Sequence, residues 1–324
     1  MIGAFSVKVT QRRRVSFDFT VRRKVTVVCG DSGTGKTTLF DMIVAHTREG
    51  LNSGVTVQCN RPCVALVDLD WENQLAKTSD SIVFIDEGMR WVFSEDFARM
   101  LSESSNYFVI ISREALSNIP YSIDEIYEIK TSGKRHTFVP RYAQRKGYRY
   151  SLSKEQPKKD FDTLLAEDSK SGFQFFKARF DGKDIACLSS EGNSKVVEFL
   201  KKHRDDHVFV VADGAAFGAQ ADRALKLQDE FRDCITLCLP ESFEWLILKS
   251  GVVKADNLQR VLENPEAFID SEVDSSWEQF FYAYLKQITE NTLFVYRKRE
   301  LAEAYTLPKN ADKVMALIAC RNIR

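Results

Sequence analysis

The stretch VVCGDSGTGKTTLF, residues 27–40, decides how the rest of this chain is read. An apolar run, residues 25–29, ends at Gly30, and the spacing Gly30-x-x-x-x-Gly35-Lys36-Thr37 follows directly. TTLFDMIVAH, residues 37–46, then continues with a helical period, and Gly50 supplies a stop. Strand, glycine loop and helix in that order predict a turn whose backbone N–H groups face inward. Such a turn cradles phosphate at the positive end of the helix. On this reading Gly30, Asp31, Ser32, Gly33, Thr34, Gly35, Lys36, Thr37 and Thr38 surround the phosphates of a nucleotide. Lys36 reaches the β- and γ-phosphates, and Thr37 ligates Mg²⁺.

A loop of this kind needs a metal-organising acid on a neighbouring strand. SIVFIDEG, residues 81–88, provides one: an apolar run delivers Asp86 and Glu87 to a strand end. Asp86 would support Mg²⁺, and Glu87 would polarise an attacking water, which binding alone does not require. LVDLDWEN, residues 66–73, offers Asp68 and Asp70 as a rival, with a more broken apolar run. YFVIISRE, residues 107–114, ends in Ser112 and Arg113; in additional-strand P-loop ATPases, which this stretch resembles, a polar residue at that place senses the γ-phosphate, which makes each a candidate sensor, with Ser112 preferred. The expected catalytic set is therefore Lys36, Glu87 and Ser112.

The order of an N-terminal hairpin, GDSGTGKTT, VFIDEG and VIISR resembles the additional-strand class of P-loop ATPases, which holds the ABC-type and AAA-type branches. The likeness covers about the first 130 residues and implies an ATP-hydrolysing domain with a parallel sheet. No LSGGQ-like signature lies between Lys36 and Asp86, so the sandwich dimer of the ABC branch is not implied. No guanine-reading motif is evident, and ATP is taken over GTP by default.

The remaining bulk properties frame this domain. A chain of 324 residues, 44% hydrophobic and 28% charged, fits two globular domains. A formal net charge of zero means that any nucleic-acid binding must come from local patches. The seven cysteines are odd in number, and Cys59/Cys63 and Cys234/Cys238 are separated by three residues, which favours structural thiols over zinc knuckles. That usage fits a reducing compartment. No apolar run approaches the roughly 18 residues that span a bilayer, and the start is too short in apolar residues for a secretory signal. The expectation is a cytoplasmic protein with no membrane span.

Along the chain, alternation in FSVKVTQRRRVSFDFTVRRKVTVVC, residues 5–29, predicts consecutive strands with residues 12–14 at a hairpin tip. Further strands are expected near GVTVQC, PCVALVDL, SIVFID, YFVII and DEIYEIK, in a mostly parallel sheet covered on both faces. The first domain spans residues 1–133. Residues 134–160 read as a basic linker. Residues 134–159 interleave Lys and Arg with Tyr142, Tyr148 and Tyr150, so they could hold phosphates and stack bases, or be only a charged connector. Residues 161–324 form a second, smaller α/β domain ending in helices. Its expected strands are DIACLSSEG, VFVVADG and CITLCLP.

Acids follow each of those strands: Glu191, then Asp213, then Glu241 and Glu244. On adjacent parallel strands these carboxylates would gather at one sheet edge and bind a second Mg²⁺ or Mn²⁺. SEGNSK and ESFEWLIL make this unit similar to the Toprim domain of topoisomerases, primases and the overcoming-lysogenization-defect nucleases. ATPase followed by Toprim is also the domain order of those nucleases. The resemblance implies action on nucleic acid, in mobile-element or defence biology. Asp213 is followed by Gly214 and Ala215, so the family's second Asp is missing. A nucleotide-dependent switch or scaffold acting on a protein partner, with an inactive acidic site, is the first alternative. An oligomeric export motor, as in zonula occludens toxin-like ATPases, is the second.

Overall fold

The computed structural model describes residues 1–11, 14–67, 70–142 and 161–318. The chain is α/β and divides into two compact units. The first comprises residues 1–143 and 264–277, the second residues 144–263 and 278–324.

In the first unit the order is β1 (Phe5–Gln11), β2 (Val15–Val21), β3 (Val25–Cys29), α1 (Lys36–Glu49), β4 (Val55–Gln58), β5 (Cys63–Ala65), α2 (Trp71–Ala76), β6 (Ile82–Ile85), α3 (Glu95–Glu103), β7 (Tyr107–Ile111), β8 (Ile126–Ser132) and β9 (Arg135–Pro140). All nine strands join one sheet in the order β4-β1-β2-β9-β8-β3-β7-β6-β5. The sheet is mixed, with five of its eight pairings parallel. From β8 to β5 every pairing is parallel, whereas β1 pairs antiparallel with β2 and β4, and β8 with β9. The reason is connectivity: only a few residues of chain join β1 to β2 and β8 to β9, which permits only antiparallel neighbours, while parallel neighbours need crossovers.

The two edge strands of this sheet are consecutive in sequence. Gln58 and Cys63 are five Cα steps apart, at most about 19 Å, whereas nine flat strands would separate the edges by about 38 Å. The sheet must therefore curl, and it curls around α1. Leu39, Phe40, Met42 and Ile43 of α1 are buried in a core with Val7, Phe17, Val28, Val55, Phe84 and Val109. β3, β6 and β7 are buried along their whole length, as expected of strands covered on both faces.

β9 occupies residues read from composition as the start of the connector. Arg135, Thr137 and other polar side chains hide its strand period, but its backbone fills the sheet between β2 and β8. Tyr142 is also buried, at 3% exposure, so it cannot stack on bases. Arg12, Arg13, Asp68, Arg145, Lys146, Tyr148, Arg149, Tyr150 and Cys320 lie outside the described residues.

Residues 264–277 return to the first unit. Ile2 bridges Asp270, and the Lys24 ammonium donates to the carbonyls of Ser102 and Ser271, both at 2.7 Å. Burial lowers the Lys24 pKa from its usual 10.5 to about 8.

The second unit contains β10 (Thr163–Ala166), α4 (Ser171–Phe180), β11 (Ala186–Ser189), α5 (Asn193–Lys202), β12 (Val208–Val211), α6 (Gly218–Glu230), β13 (Ile235–Cys238), α7 (Phe243–Ser250), α8 (Leu258–Glu263), α9 (Trp277–Thr289, its first residue in the first unit) and α10 (Pro308–Met315). Its separate four-stranded sheet runs β11-β10-β12-β13, parallel throughout. β10 is absent from the three-strand reading given above. It lies at the centre of the sheet, and that changes which acids are neighbours. Among the described residues no helix is long and apolar enough to cross a membrane.

Candidate functional site

In the first unit three adjacent parallel strands carry the residues singled out from sequence. Ile85 pairs with Ile110, and Ile110 with Val27. Extending that register places Asp86 level with Ile111 and Val28, and Glu87 level with Ser112 and Cys29. The glycine loop, the Ser112–Arg113 turn and the Asp86–Glu87 turn thus leave the carboxyl end of one sheet, where open α/β sheets bind ligands.

The loop has the backbone that its glycines anticipate. Gly30, Gly33 and Gly35 adopt φ of 105°, 80° and 97°, a region that side chains with a Cβ enter at a cost. A Cβ on Gly35 would also lie 3.4 Å from both His136 and Phe17, whose rings stack behind the loop with centroids 4.5 Å apart. α1 starts at Lys36 with no side-chain cap and no acid in its first turn. Its leading N–H groups therefore have no side-chain acceptor of their own.

Lys36 is the decisive residue. It is 5% exposed. Its ammonium donates to the carbonyls of Gly30 at 2.7 Å and Asp31 at 2.6 Å, and to the Thr34 hydroxyl at 3.4 Å. Among the described residues it forms no ion pair. A buried cation resting on neutral dipoles is costly without an anion beside it. Thr37 and Thr38 are exposed and Asp86 is half-buried, all at the same sheet end.

Ser112 and Arg113 part company here. Ser112 is 6% exposed, and its hydroxyl donates to the Glu114 carbonyl at 2.7 Å and accepts from the Glu114 amide at 3.2 Å. It is committed to its own turn. Arg113 reaches outward: Nε lies 3.0 Å from Glu87 Oε1, and Nη2 donates to Ser32 Oγ at 3.0 Å. Asp70 precedes α2 and accepts from the side chain of Asn73. Below the loop Arg141 contacts Cys29 Sγ at 3.2 Å and Glu128 at 3.0 Å, which ties the first residues after β9 to the loop strand.

In the second unit the acids regroup. Glu191 follows the edge strand β11 and is exposed, and Lys195 at 2.9 Å holds its carboxyl below the usual range. It does not join the others. Glu241 does not line the cavity either, although its carbonyl accepts from Ala215 at 3.1 Å. A cavity of about 20 Å³, room for at least one water, is lined instead by Glu167, Asp168, Asp213, Glu244 and Lys298. β10, β12 and β13 are adjacent, so Glu167 after β10, Asp213 after β12 and Glu244 in α7 converge. The Asp213 amide donates to Glu167 Oε2 at 2.9 Å, and Asp213 Oδ1 accepts from the Phe243 amide at 3.1 Å. Asp168 caps α4, accepting from the Phe173 amide at 2.9 Å.

Burial raises all three inner carboxyls, and repulsion from Glu278 adds to each. Burial pushes Glu167 up to about 7, with Glu278 and Asp168 adding to it. Burial, Glu278, Glu167 and Glu244 push Asp213 well above the usual range. Glu244 is raised by burial, although Lys298 and the Tyr296 hydroxyl, donating at 2.7 Å, work against this. Burial opposes the charge of Lys298, but Glu278 at 2.7 Å, Glu244 and Asp213 together keep it protonated. Glu244 Oε2 is buried with no hydrogen-bond partner among the described residues. Among the described residues no three His, Cys, Asp or Glu side chains are already arranged as a metal site.

No protein-family model matches the chain, and no curated protein is similar to it at a significant level. The sites therefore stand on their own chemistry. Glu167 had a legible signal: TLLAED ends an apolar run in paired acids, as IVFIDE does. Lys298, Tyr296 and Glu278 had none, because only the chain's return from the C-terminal helices brings them to β10 and β12.

Gly214, beside Asp213, lies against the backbone that follows β13. A Cβ there would lie 2.7 Å from the Leu239 carbonyl oxygen and 2.8 Å from that of Pro240. Both obstacles are backbone, so Gly214→Ala is expected to destabilise the second unit by about 1–3 kcal/mol. Protection of β12 amides in hydrogen exchange measures this, and unchanged protection would contradict the tight approach.

Proposed function

We propose that the first unit binds and hydrolyses a nucleoside triphosphate, ATP by default, with Mg²⁺, and that the second unit is Toprim-like and acts on nucleic acid. The buried ammonium of Lys36 on a glycine loop, without an ion pair among the described residues, carries the first part. Strand β7 lies between the loop strand β3 and the Asp86 strand β6, which supports the additional-strand resemblance.

The residues present fit a triphosphate with its metal. Lys36 exchanges carbonyl contacts for phosphate oxygens, and the first amides of α1 donate to the same group. Thr37 and Asp86 would hold Mg²⁺, which supplies charge neutralisation between the phosphates. Glu87 accepts the proton of the attacking water.

In the second unit Glu167 takes the first-strand position in place of Glu191. The raised carboxyls and the orphaned Glu244 oxygen fit a further divalent ion, Mg²⁺ or Mn²⁺, held by Glu167, Asp213 and Glu244. Bound there, such an ion would supply Lewis-acid polarisation of a phosphodiester and of a water. Lys298 is placed to balance the same carboxylates and to meet a phosphate oxygen.

Plasmid nicking with Mn²⁺ and ATP tests the second part. Cleavage lost in Asp213→Asn and retained in Glu191→Ala is the expected pattern. Cleavage by neither wild type nor variants would leave the switch or scaffold reading. Nucleic-acid contact through residues 143–160 is a further part of this proposal. Neutralising Arg145, Lys146 and Arg149 is expected to lower the salt dependence of DNA binding by up to about three charges, as read by gel shift across a salt series.

A further inference from the structure

The inner carboxyl of Glu244 is tethered through one oxygen only. Tyr296, wholly buried, donates its hydroxyl to Glu244 Oε1 at 2.7 Å, and Ser171 Oγ lies 2.6 Å from the same hydroxyl. A carboxylate only accepts and a phenol carries one proton, so the Tyr296 proton goes to Glu244 and the Ser171 proton to Tyr296. Glu244 Oε2 is left without a partner among the described residues, on a side chain that lines the cavity together with Glu167, Asp213 and Lys298.

The tether is itself anchored by α4 and α9. The Tyr296 amide donates to Thr289 Oγ1 at 3.0 Å, and the Ser171 amide to the Lys298 carbonyl at 3.0 Å. Gln174 donates to the Arg299 carbonyl at 2.8 Å and accepts from the Leu301 amide at 2.9 Å. Turning Glu244 so that both of its oxygens met an ion would leave the Tyr296 proton in the core without an acceptor, which is costly.

We infer that Tyr296 determines which ion the cavity takes: by holding Oε1 it restricts Glu244 to a single-oxygen ligand, and so selects Mg²⁺ or Mn²⁺ against Ca²⁺. Ca²⁺ gathers about six to eight oxygens and commonly chelates through both oxygens of one carboxylate, whereas Mg²⁺ needs a near-octahedral set. Tyr296 touches neither ion nor substrate and is a positioning residue that acts through Glu244. This inference rests on the reading of Glu167, Asp213 and Glu244 as ligands of a divalent ion.

The test is Mn²⁺ binding to the full chain at pH 8 without nucleotide, read by electron paramagnetic resonance, with Ca²⁺ and Mg²⁺ as competitors. The Mn²⁺ signal lost in Asp213→Asn defines the site. Wild type is expected to prefer Mn²⁺ to Ca²⁺. Tyr296→Phe, which deletes one oxygen atom, is expected to let Ca²⁺ compete about tenfold better, the size of a lost charged hydrogen bond, while Mg²⁺ competes within about twofold of wild type. General loosening of the fold would weaken all three ions together and leave these ratios unmoved. Ser171→Ala removes the donor that orients the Tyr296 hydroxyl and is expected to shift the Ca²⁺ ratio in the same direction, by less. It decides the matter if Tyr296→Phe does not fold. Ca²⁺ as tight as Mn²⁺ in wild type, or an unchanged ratio in the folded variants, would overturn the role of Tyr296 alone. Mn²⁺ binding that is absent from wild type, or indifferent to Asp213→Asn, removes the cation reading of the cavity and this inference with it.

Discussion

Lys36→Met is expected to abolish triphosphate hydrolysis and weaken triphosphate binding by about two orders of magnitude or more, without destabilising the nucleotide-free protein. Under the proposed function, the first half follows from removing a charged donor that would meet the transferred phosphate, where one such group is worth about 10²–10³ in rate. The second half separates function from structure. The Lys36 ammonium rests on two carbonyls and one hydroxyl and has no carboxylate partner among the described residues. A methionine of similar volume removes a buried charge and leaves only exchangeable acceptors. Unfolding of the first unit in the absence of nucleotide is therefore expected within about 1 kcal/mol of wild type, or higher. Wild type alone should then gain stability with nucleotide, about 2.7 kcal/mol at a hundredfold excess over Kd. Phosphate release measures the loss of hydrolysis, and hydrogen exchange of β3 and β7 with and without ATP measures binding and stability. A variant that loses stability in the absence of nucleotide and keeps its response to ATP would make Lys36 a structural residue.

Glu167→Gln is expected to stabilise the second unit at pH 8 and to leave it unchanged near pH 4. Its carboxyl titrates at about 7 in the fold against a usual 4.5. Between those values the folded protein holds a proton that the unfolded chain has released. The stability contributed by this group is therefore complete below about 4.5 and is lost as pH rises through about 7. Glutamine stays neutral and keeps an acceptor for the Asp213 amide. The gain at pH 8 is on the order of 1–3 kcal/mol, because burial and the charges of Glu278 and Asp168 together raise this carboxyl.

A divalent cation reports on the same cluster. Mn²⁺ is expected to protect β10 and β12 from exchange in wild type at pH 8, where the carboxyls are ionised, and far less at pH 5. Glu167→Gln should blunt that response. Protection by Mn²⁺ that is equal at both pH values, or unchanged in the variant, would place the ion elsewhere. Because the chain has two units, site-resolved exchange is preferable to a single melting curve.

Much of the first site was readable from local pattern. Gly30 to Thr38 lie on a loop between strand and helix because an apolar run, glycines and a helical period follow one another without interruption. Asp86 and Glu87 were equally plain at the end of IVFI. What local pattern could not reveal was which of two adjacent polar residues, Ser112 or Arg113, faces the loop. That choice depends on whether Ser112 Oγ closes onto Glu114. In the second unit, omission of β10 moved the first acid from Glu167 to Glu191. Four residues of strand, adjoining a basic stretch, carry too little period to stand out.

By itself the sequence determined an α/β chain, a glycine loop with its lysine, and acids at strand ends, because these depend on residues within a few positions of one another. Only the tertiary structure decided the rest. It mixed the strand directions of the first sheet, because two hairpins add to its parallel half. It put β9 inside that sheet in place of a connector. It set Arg113 against Glu87, and Lys298 among Glu167, Asp213 and Glu244. Each of those pairings joins residues whose separation along the chain exceeds the reach of any helical or strand period, so only packing of the assembled sheets could bring them together.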